Sequence, residues 1–428
     1  MSWSFGIWSK WQKYSSNVRN TIYGNVLTQI GLGIFMVIYN FYIRELGYPD
    51  QLNGKVVSMT ALATALILIP AGVFSDKFGR KKLILFGIIL TGCSLITRSL
   101  IEPALFLVGA AFVTGLTQAL IQVSMIPILA ENSLPKQRIQ LFALHSGLMT
   151  AANVIGNLSG GVMTDMFGTV FTPIFSIRLT LIVGAVIFLL GILPIVRIDE
   201  KINRNQTVKK ELQVNILQNL KNQKASVKII ILFAIAQLVI GLGSGLVIPY
   251  LNLYFADRFQ ASNSSIGLII ALGQTATAIA MFIGPAVVRK IGEVKAVVFL
   301  QMASLPFLLL TAFTNNLILA TIGFLFRQAL MNAGNPIQMS LMMGKVDNSV
   351  KGFANSVNQM VFQLGWAFMG PISMGLVATY GAYHGYAFVF SITCILYFIA
   401  STYFYFVFKS INNDHTVLVE KGEDTKVS

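Results

Sequence analysis

Long apolar runs alternate with short polar connections along nearly the whole chain. Twelve runs can be drawn, at about residues 21–43, 56–75, 82–101, 104–130, 139–164, 174–196, 228–256, 265–288, 295–313, 316–343, 352–379 and 383–408. Each is close to or beyond the roughly 20 apolar residues that carry an α-helix across a hydrocarbon core. The pattern predicts an all-α integral membrane protein with twelve transmembrane helices. One connection is longer than the rest. Residues 197–227 are polar and basic, with Arg197, Lys201, Arg204, Lys209, Lys210, Lys221 and Lys224, and read as a cytoplasmic linker. They separate an N-terminal six-helix bundle over 21–196 from a C-terminal one over 228–408, leaving 1–20 and 409–428 as terminal segments.

Composition agrees with the pattern. Of 428 residues 55% are hydrophobic and 11% charged, and the mean hydropathy is +0.71. An ordinary soluble protein carries roughly 25% charged residues. So few charges cannot cover a surface this large in water, which excludes a soluble enzyme, a nucleic-acid binder and a disordered chain. The expected surroundings are a lipid bilayer. The net charge of +15 does not imply a nucleic-acid partner, because the cations cluster between apolar runs. With the N-terminus inside, 25 of the 31 Lys and Arg residues fall on the inner side. Arg44, Lys55, Arg98, Arg178 and Arg258 fall at or near outer ends, and Arg327 falls within a span. Both termini are therefore expected on the cytoplasmic face of the cell (inner) membrane. Cys93 and Cys394 lie inside apolar runs, so no disulfide framework is implied. Residues 1–20 show no cleavable signal; Trp3, Trp8 and Trp11 beside Lys10 and Lys13 predict an interfacial segment.

The two halves repeat one another. Gly31-Leu32-Gly33 matches Gly241-Leu242-Gly243, Asn40-Phe41-Tyr42 matches Asn252-Leu253-Tyr254, and Gly54 matches Gly267. Gly79 matches Gly292 and Arg138 matches Lys351, both 213 residues apart. Gly156, Gly161 and Gly168 match Gly370, Gly375 and Gly381. Six spans per half give both copies the same orientation, so the bundles are related by a pseudo-twofold axis along the membrane normal. Two such bundles enclose a cavity near the midplane, and rocking one against the other exposes it to each side in turn. No ring of charges or filter loop points to a channel.

Between spans two and three lie Gly72, Asp76, Lys77, Gly79, Arg80 and Lys81. Gly72 allows close helix packing, Asp76 is a carboxylate among cations, and Gly79 permits a tight reversal. This string resembles the G-x-x-x-D-R-x-G-R-K signature of the major facilitator superfamily (MFS), with Lys77 where Arg is commoner. The resemblance covers essentially the whole chain. It implies the MFS fold, small-molecule transport without a cofactor, and a coupling proton or other ion. It also implies a cytoplasmic latch of Asp76, Arg80 and Glu131 that favours the outward-facing state. The second-half copy keeps Gly292 but has Arg289 opposite Asp76, so the latch is expected to be asymmetric. Two other family patterns are missing. Span four holds Phe112-Val113-Thr114-Gly115 without the Arg of proton-coupled exporters, and Asn157 replaces the proline of the antiporter motif in span five.

Polar residues inside spans are functional candidates. Arg327 lies about 11 residues, roughly 16 Å, into span ten, and no Asp or Glu lies comparably deep. Glu45, Glu102, Asp165 and Asp257 sit at outer ends and Glu131 at an inner end. A substrate anion could complete Arg327, or backbone carbonyls and amides could hold it. The remaining cavity candidates are Asn40, Gln118, Gln122, Asn153, Asn157, Asn252, Gln274, Asn332, Asn358, Gln359 and Gln363, each of which could equally join helices. His145 reads as an interfacial residue. No metal-ligand spacing, phosphate-binding glycine loop or catalytic triad is seen, which argues against an enzyme and against ATP-driven transport. The reading that results is a secondary transporter by alternating access, of efflux type for small amphiphiles. Uptake or exchange of an organic anion at Arg327, and a transporter-like sensor that binds without transport, are the alternatives.

Overall fold

The computed structural model describes residues 11, 14–134, 137–199 and 223–424; the tryptophans Trp3 and Trp8 and most of the basic linker lie outside them. Twelve long helices are described. The first bundle holds α1 (Ser16–Glu45), α2 (Asp50–Phe78), α3 (Arg80–Leu100), α4 (Ala104–Glu131), α5 (Arg138–Gly168) and α6 (Pro173–Leu190, followed by the short Ile192–Val196). The second holds α7 (Lys224–Val247, resumed at Leu251–Phe259), α8 (Asn263–Ile291), α9 (Glu293–Phe313) and α10 (Leu317–Ala333, resumed at Asn335–Lys345). A continuous stretch Lys351–Asp424 is broken at Gly381, where φ is 76°, giving α11 (351–380) and α12 (382–424).

Local chemistry explains the boundaries. Ser15 caps α1 by accepting from the Val18 amide, Ser262 caps α8 by accepting from Ser265, and Asn316 caps α10 by accepting from Ile318 and Leu319. Gly79 (φ 95°) and Gly292 (φ 79°) make the α2–α3 and α8–α9 reversals at repeat-related positions. A side chain there would be strained by the positive φ. Span seven is less regular than the apolar run suggests. Pro249 has no amide hydrogen to continue the ladder, so Ile248–Tyr250 is a tighter turn between two helical pieces.

Among the described residues, ten helical stretches are long and apolar enough to cross a membrane, and one of them, Lys351–Lys409, is the piece broken at Gly381. α5 has the length but not the apolarity. It packs between α1 and α8, and a helix shielded from lipid can hold polar residues such as Asn153 and Asn157. Elsewhere apolar groups point outward. Phe282 is 86% exposed and Leu105 80%; side chains like these suit lipid and not water. The two bundles meet mainly where α2 packs on α11 and α5 on α8.

Candidate functional site

The two ends of the interface between the bundles differ. One end carries Arg19, Lys81, Arg138 and Lys345 and is called the basic end here; at the other, side chains and backbones interlock. Near that far end Asn40 on α1 donates to Asn252 Oδ1 (2.9 Å) and to the Pro249 carbonyl (2.7 Å), and Asn252 donates to the Val37 carbonyl (2.9 Å). The acceptor carbonyl belongs to the irregular turn of α7, so the break in that helix is what α1 recognises. Toward the end of the same seam Arg44 forks onto two carboxylates. It donates to Asp50 (2.6 and 2.9 Å) in its own bundle and to Asp257 (2.6 and 2.8 Å) in the other. Tyr386 also donates to Asp257 (2.9 Å). Asp165 at the end of α5 accepts from the Asn263 side chain (2.8 Å) and the Ser264 amide (2.7 Å), the positive end of α8.

Between these polar contacts the helix backbones touch. A Cβ added to Gly54 would lie 2.5 Å from the Gly370 carbonyl oxygen, and one on Gly267 would lie 2.5 Å from that of Asn157. Toward the basic end, Gly72 and Gly147 have nothing within 4 Å of such a Cβ. There Gln122 on α4 reaches across the bundles to Gln359 on α11 (2.8 Å).

A cavity of about 320 Å³ opens beside Gln122 in the first bundle. Its polar wall is Asn25, Thr28, Gln29, Gln118, Gln122 and His145; Leu32, Ile121, Met125, Met149 and Phe188 supply apolar surface. Among the described residues lining it there is no Asp, Glu, Lys or Arg. His145 is buried, 6% exposed, with Nε2 2.8 Å from Asn25 Nδ2. It is a wall residue of the cavity and not an interfacial one, because α5 turns it toward α1.

At the basic end, Arg80 pairs with Glu131 (2.9 Å), joining the start of α3 to the end of α4. Lys81 donates to the carbonyls of Val196 (2.8 Å) and Ile198 (2.6 Å), tying α3 to the chain after α6. Lys77 lies over the Phe78 ring at 5.6 Å. The Asp76 side chain lies outside the described residues.

Arg327 is 3% exposed. It donates to Gln328 (2.8 Å) and to the Tyr397 hydroxyl of α12 (2.7 Å), within its own bundle and away from the cavity wall just described. A second deep cation accompanies it. Arg98, expected at an outer end, is 6% exposed, with its guanidinium carbon 4.0 Å from the Tyr39 ring centre and a long bond to Thr114 (3.4 Å). The two arginines are related by the repeat. Position 98 plus 213 is Thr311, and Thr114 plus 213 is Arg327, so each half places its arginine on the opposite partner of the same helix pair. The other candidates stay local or unpaired. Asn157 bonds to Asn153 (2.7 Å), Asn332 bonds to the Gln328 carbonyl (2.8 Å), and Gln274 is half-buried on α8. Asn358 Oδ1 is buried with no hydrogen-bond partner among the described residues.

The family profile described as Major Facilitator Superfamily matches residues 21–368 and, in an overlapping second match, 233–423. The chain belongs to that superfamily. It is 26% identical to the multidrug resistance protein MdtG of Proteus mirabilis, over 93% of this chain and 97% of that protein. It is equally 26% identical to the multi-drug resistance efflux pump PmrA of Streptococcus pneumoniae, over 87% of this chain and 91% of that one. Among solved structures, a bacterial homolog of the human lysosomal transporter Spinster, inward-facing and unoccupied, superposes with a TM-score of 0.74. That match has 14% identity and covers 93% of this chain and 97% of the other. The protein is thus a multi-pass membrane transporter of small molecules and not an enzyme.

Several residues that shape this MFS structure escaped sequence reasoning. Asn25, Thr28 and Gln29 lie on the first helix of the cavity wall but inside an otherwise ordinary apolar run. Arg44 and Asp257 read as end-of-span charges, although a signal existed. They lie just after the repeated Asn40-Phe41-Tyr42 and Asn252-Leu253-Tyr254 motifs, whose register pairs Arg44 with Ala256 and Glu45 with Asp257, so near the twofold axis Arg44 meets the residue next to its own equivalent.

Proposed function

We propose that the protein is a secondary active exporter of small amphiphilic molecules, cationic or neutral, working by alternating access and driven by an ion gradient. The observation that carries this reading is the cavity: amides, a threonine and an imidazole on one side, Met, Phe, Leu and Ile on the other, with no fixed anion or cation in its described wall. Such a wall offers apolar area plus a few hydrogen bonds without demanding one charge pattern. Methionines adapt to varied shapes. The similarity to MdtG, a multidrug resistance protein, and PmrA, a multi-drug resistance efflux pump, points the same way. Arg327, held by Gln328 and Tyr397, speaks for a structural role over an anion site.

In this reading both termini and the basic end face the cytoplasm, the positive-inside arrangement. The seam closed by Arg44 and Asp257 is then the outer one, and the structure corresponds to an inward-facing state. Arg80 and Glu131, together with Asp76, form the cytoplasmic latch.

The test is counterflow in proteoliposomes with three probe classes: ethidium as a lipophilic cation, an uncharged amphiphilic dye, and an organic anion such as benzoate. Exchange of the first two and not the third is expected. Anion exchange that disappears in Arg327→Gln would replace this reading with organic-anion transport. Binding of any probe without exchange would replace it with a sensor.

A further inference from the structure

We propose that His145 and Asn25 form the proton-binding site of the cavity, and that proton binding there reverses the Asn25 amide and expels a cationic substrate. This rests on the export reading above, and it adds the identity of the proton site and the reason that proton and substrate exclude each other.

The geometry supplies the argument. An imidazole is the one side chain whose unperturbed titration falls between about pH 5 and 8, and His145 is the only residue of that kind among the described residues lining the cavity. Its Nε2 faces the Asn25 side-chain nitrogen at 2.8 Å, both groups being buried. An amide nitrogen can only donate, so in this arrangement Nε2 is an acceptor and the imidazole is neutral, with its proton on Nδ1. A proton taken from water enters at the Nε2 lone pair, and Nε2 becomes a donor. Two donors then face each other, and the Asn25 amide must turn so that Oδ1 accepts.

The surroundings permit that turn. Thr28 donates to the Asn25 backbone carbonyl (2.8 Å) and lies 3.2 Å from Asn25 Oδ1. After the turn the amide nitrogen takes that position, and the Thr28 hydroxyl oxygen still has lone pairs to accept from it. Thr28 also lines the cavity, so the reversal is transmitted to the wall that a substrate touches.

Nothing nearby neutralises the new charge. The described charged groups on the packed elements lie toward their ends: Arg19 on α1, Arg80, Lys81 and Lys82 on α3, Glu131 on α4 paired with Arg80, Arg138 on α5, Arg197 and Asp199 after α6, and Arg289 and Lys290 on α8. Toward the far end are Arg44, Glu45, Arg98, Asp165 and Arg178. Arg19, Glu131 and Arg138 are six, five and seven residues from the nearest wall residue of their helices, Asn25, Ile126 and His145, about 7–11 Å along the axis. A cavity of about 320 Å³ is about 7 Å across. Two positive charges at ~7 Å and an effective dielectric of ~20 disfavour joint occupancy by roughly 50-fold. Proton and lipophilic cation therefore take turns, as exchange requires.

The experiment uses the purified full chain with ethidium as probe, its binding followed by fluorescence polarisation from about pH 8 down to about pH 3. In wild type, affinity should fall by roughly 50-fold as pH is lowered. His145→Gln should bind ethidium with a flat pH profile. Asn25→Asp, whose carboxylate favours the imidazolium, should move the midpoint to higher pH, which loss of a merely structural contact would not do. A wild-type profile retained in His145→Gln overturns the proposal. In parallel, ¹⁵N-histidine spectra of the wild type separate the resonance of His145 from those of His384 and His415. If ethidium is bound and exchanged while His145 does not titrate, the proton site is refuted and the export reading stands. If His145 titrates but ethidium is neither bound nor exchanged, the export reading falls and the expulsion step falls with it.

Discussion

The tight seam at the far end makes a steric prediction. Replacing Gly54 by alanine puts a methyl 2.5 Å from the Gly370 carbonyl oxygen and 2.8 Å from its carbon, where ordinary contact begins at about 3.4 Å. α2 and α11 must separate by up to about 0.9 Å at that point for the closed seam to survive. Both contacting atoms are backbone, so no side chain can rotate away. Gly267→Ala raises the same conflict between α8 and α5, 2.5 Å from the Asn157 oxygen. Overpacking of this kind costs about 1–3 kcal/mol. Because the contact exists only when this end is closed, the penalty falls on one conformation. Each substitution should then shift the balance toward opening of the far end by roughly 5- to 150-fold, at 1.4 kcal/mol per factor of ten. The two together, if independent, reach about 2–6 kcal/mol. The upper part of that range is enough to invert a 1:99 equilibrium.

Spin labels at Val170→Cys and Ile318→Cys, both exposed and on different bundles at the far end, read the result. The inter-label distance distribution should gain a longer component in Gly54→Ala, and more in the double variant, while labels at the basic end approach one another. Unchanged distances with a lower Tm would refute the reasoning, since the strain would then have been absorbed by local bending of α2 and not by movement of the bundles.

Other consequences follow from single contacts. Arg44→Gln removes the bonds to both Asp50 and Asp257, whereas Asp257→Asn leaves Arg44 with Asp50; the same labels should separate more in the first, where about 1–3 kcal/mol of charge-assisted bonding is lost. Arg327→Gln should lower thermal stability by about 1–3 kcal/mol, because the Tyr397 hydroxyl and Gln328 lose a buried donor, yet leave ethidium affinity unchanged; stabilisation by anions that vanishes in the variant would contradict this. Gln122→Ala removes both a cavity amide and the bond to Gln359, and should weaken ethidium binding by about 2- to 12-fold, one ordinary hydrogen bond. With the basic end inside, a thiol at Ser133→Cys should react with an impermeant maleimide only in inverted vesicles, and labelling of intact cells would reverse the assigned topology.

The architecture was legible in the sequence because a bilayer constrains the pattern so strongly. Backbone groups cannot face lipid unpaired, so helices of about 20 apolar residues are the one economical answer for a chain of this composition. The repeat then relates the two bundles. What the pattern could not supply was the facing of each polar side chain. Hydropathy counts Asn25, Thr28 and His145 merely as weak points in apolar runs, while the structure turns all three toward one cavity. Arg98 illustrates the opposite error: its position near the end of α3 suggests an outer-end charge, but its long side chain folds back over Tyr39. Depth along a helix can be counted from sequence, and direction around it cannot when nearly every face is apolar. The exception is the axis itself. Positions one repeat apart approach each other there, which is why Asn40 neighbours Asn252 and Arg44 neighbours Asp257, the residue beside its equivalent Ala256. The first pair stood out as a repeated motif, whereas the second was hidden because it is offset by one residue from the repeat, whose register matches Asp257 to Glu45. Opposite charges within a residue of repeat-equivalent positions at span ends are thus the pairs to seek first when a closed gate is sought in a transporter built from parallel repeats.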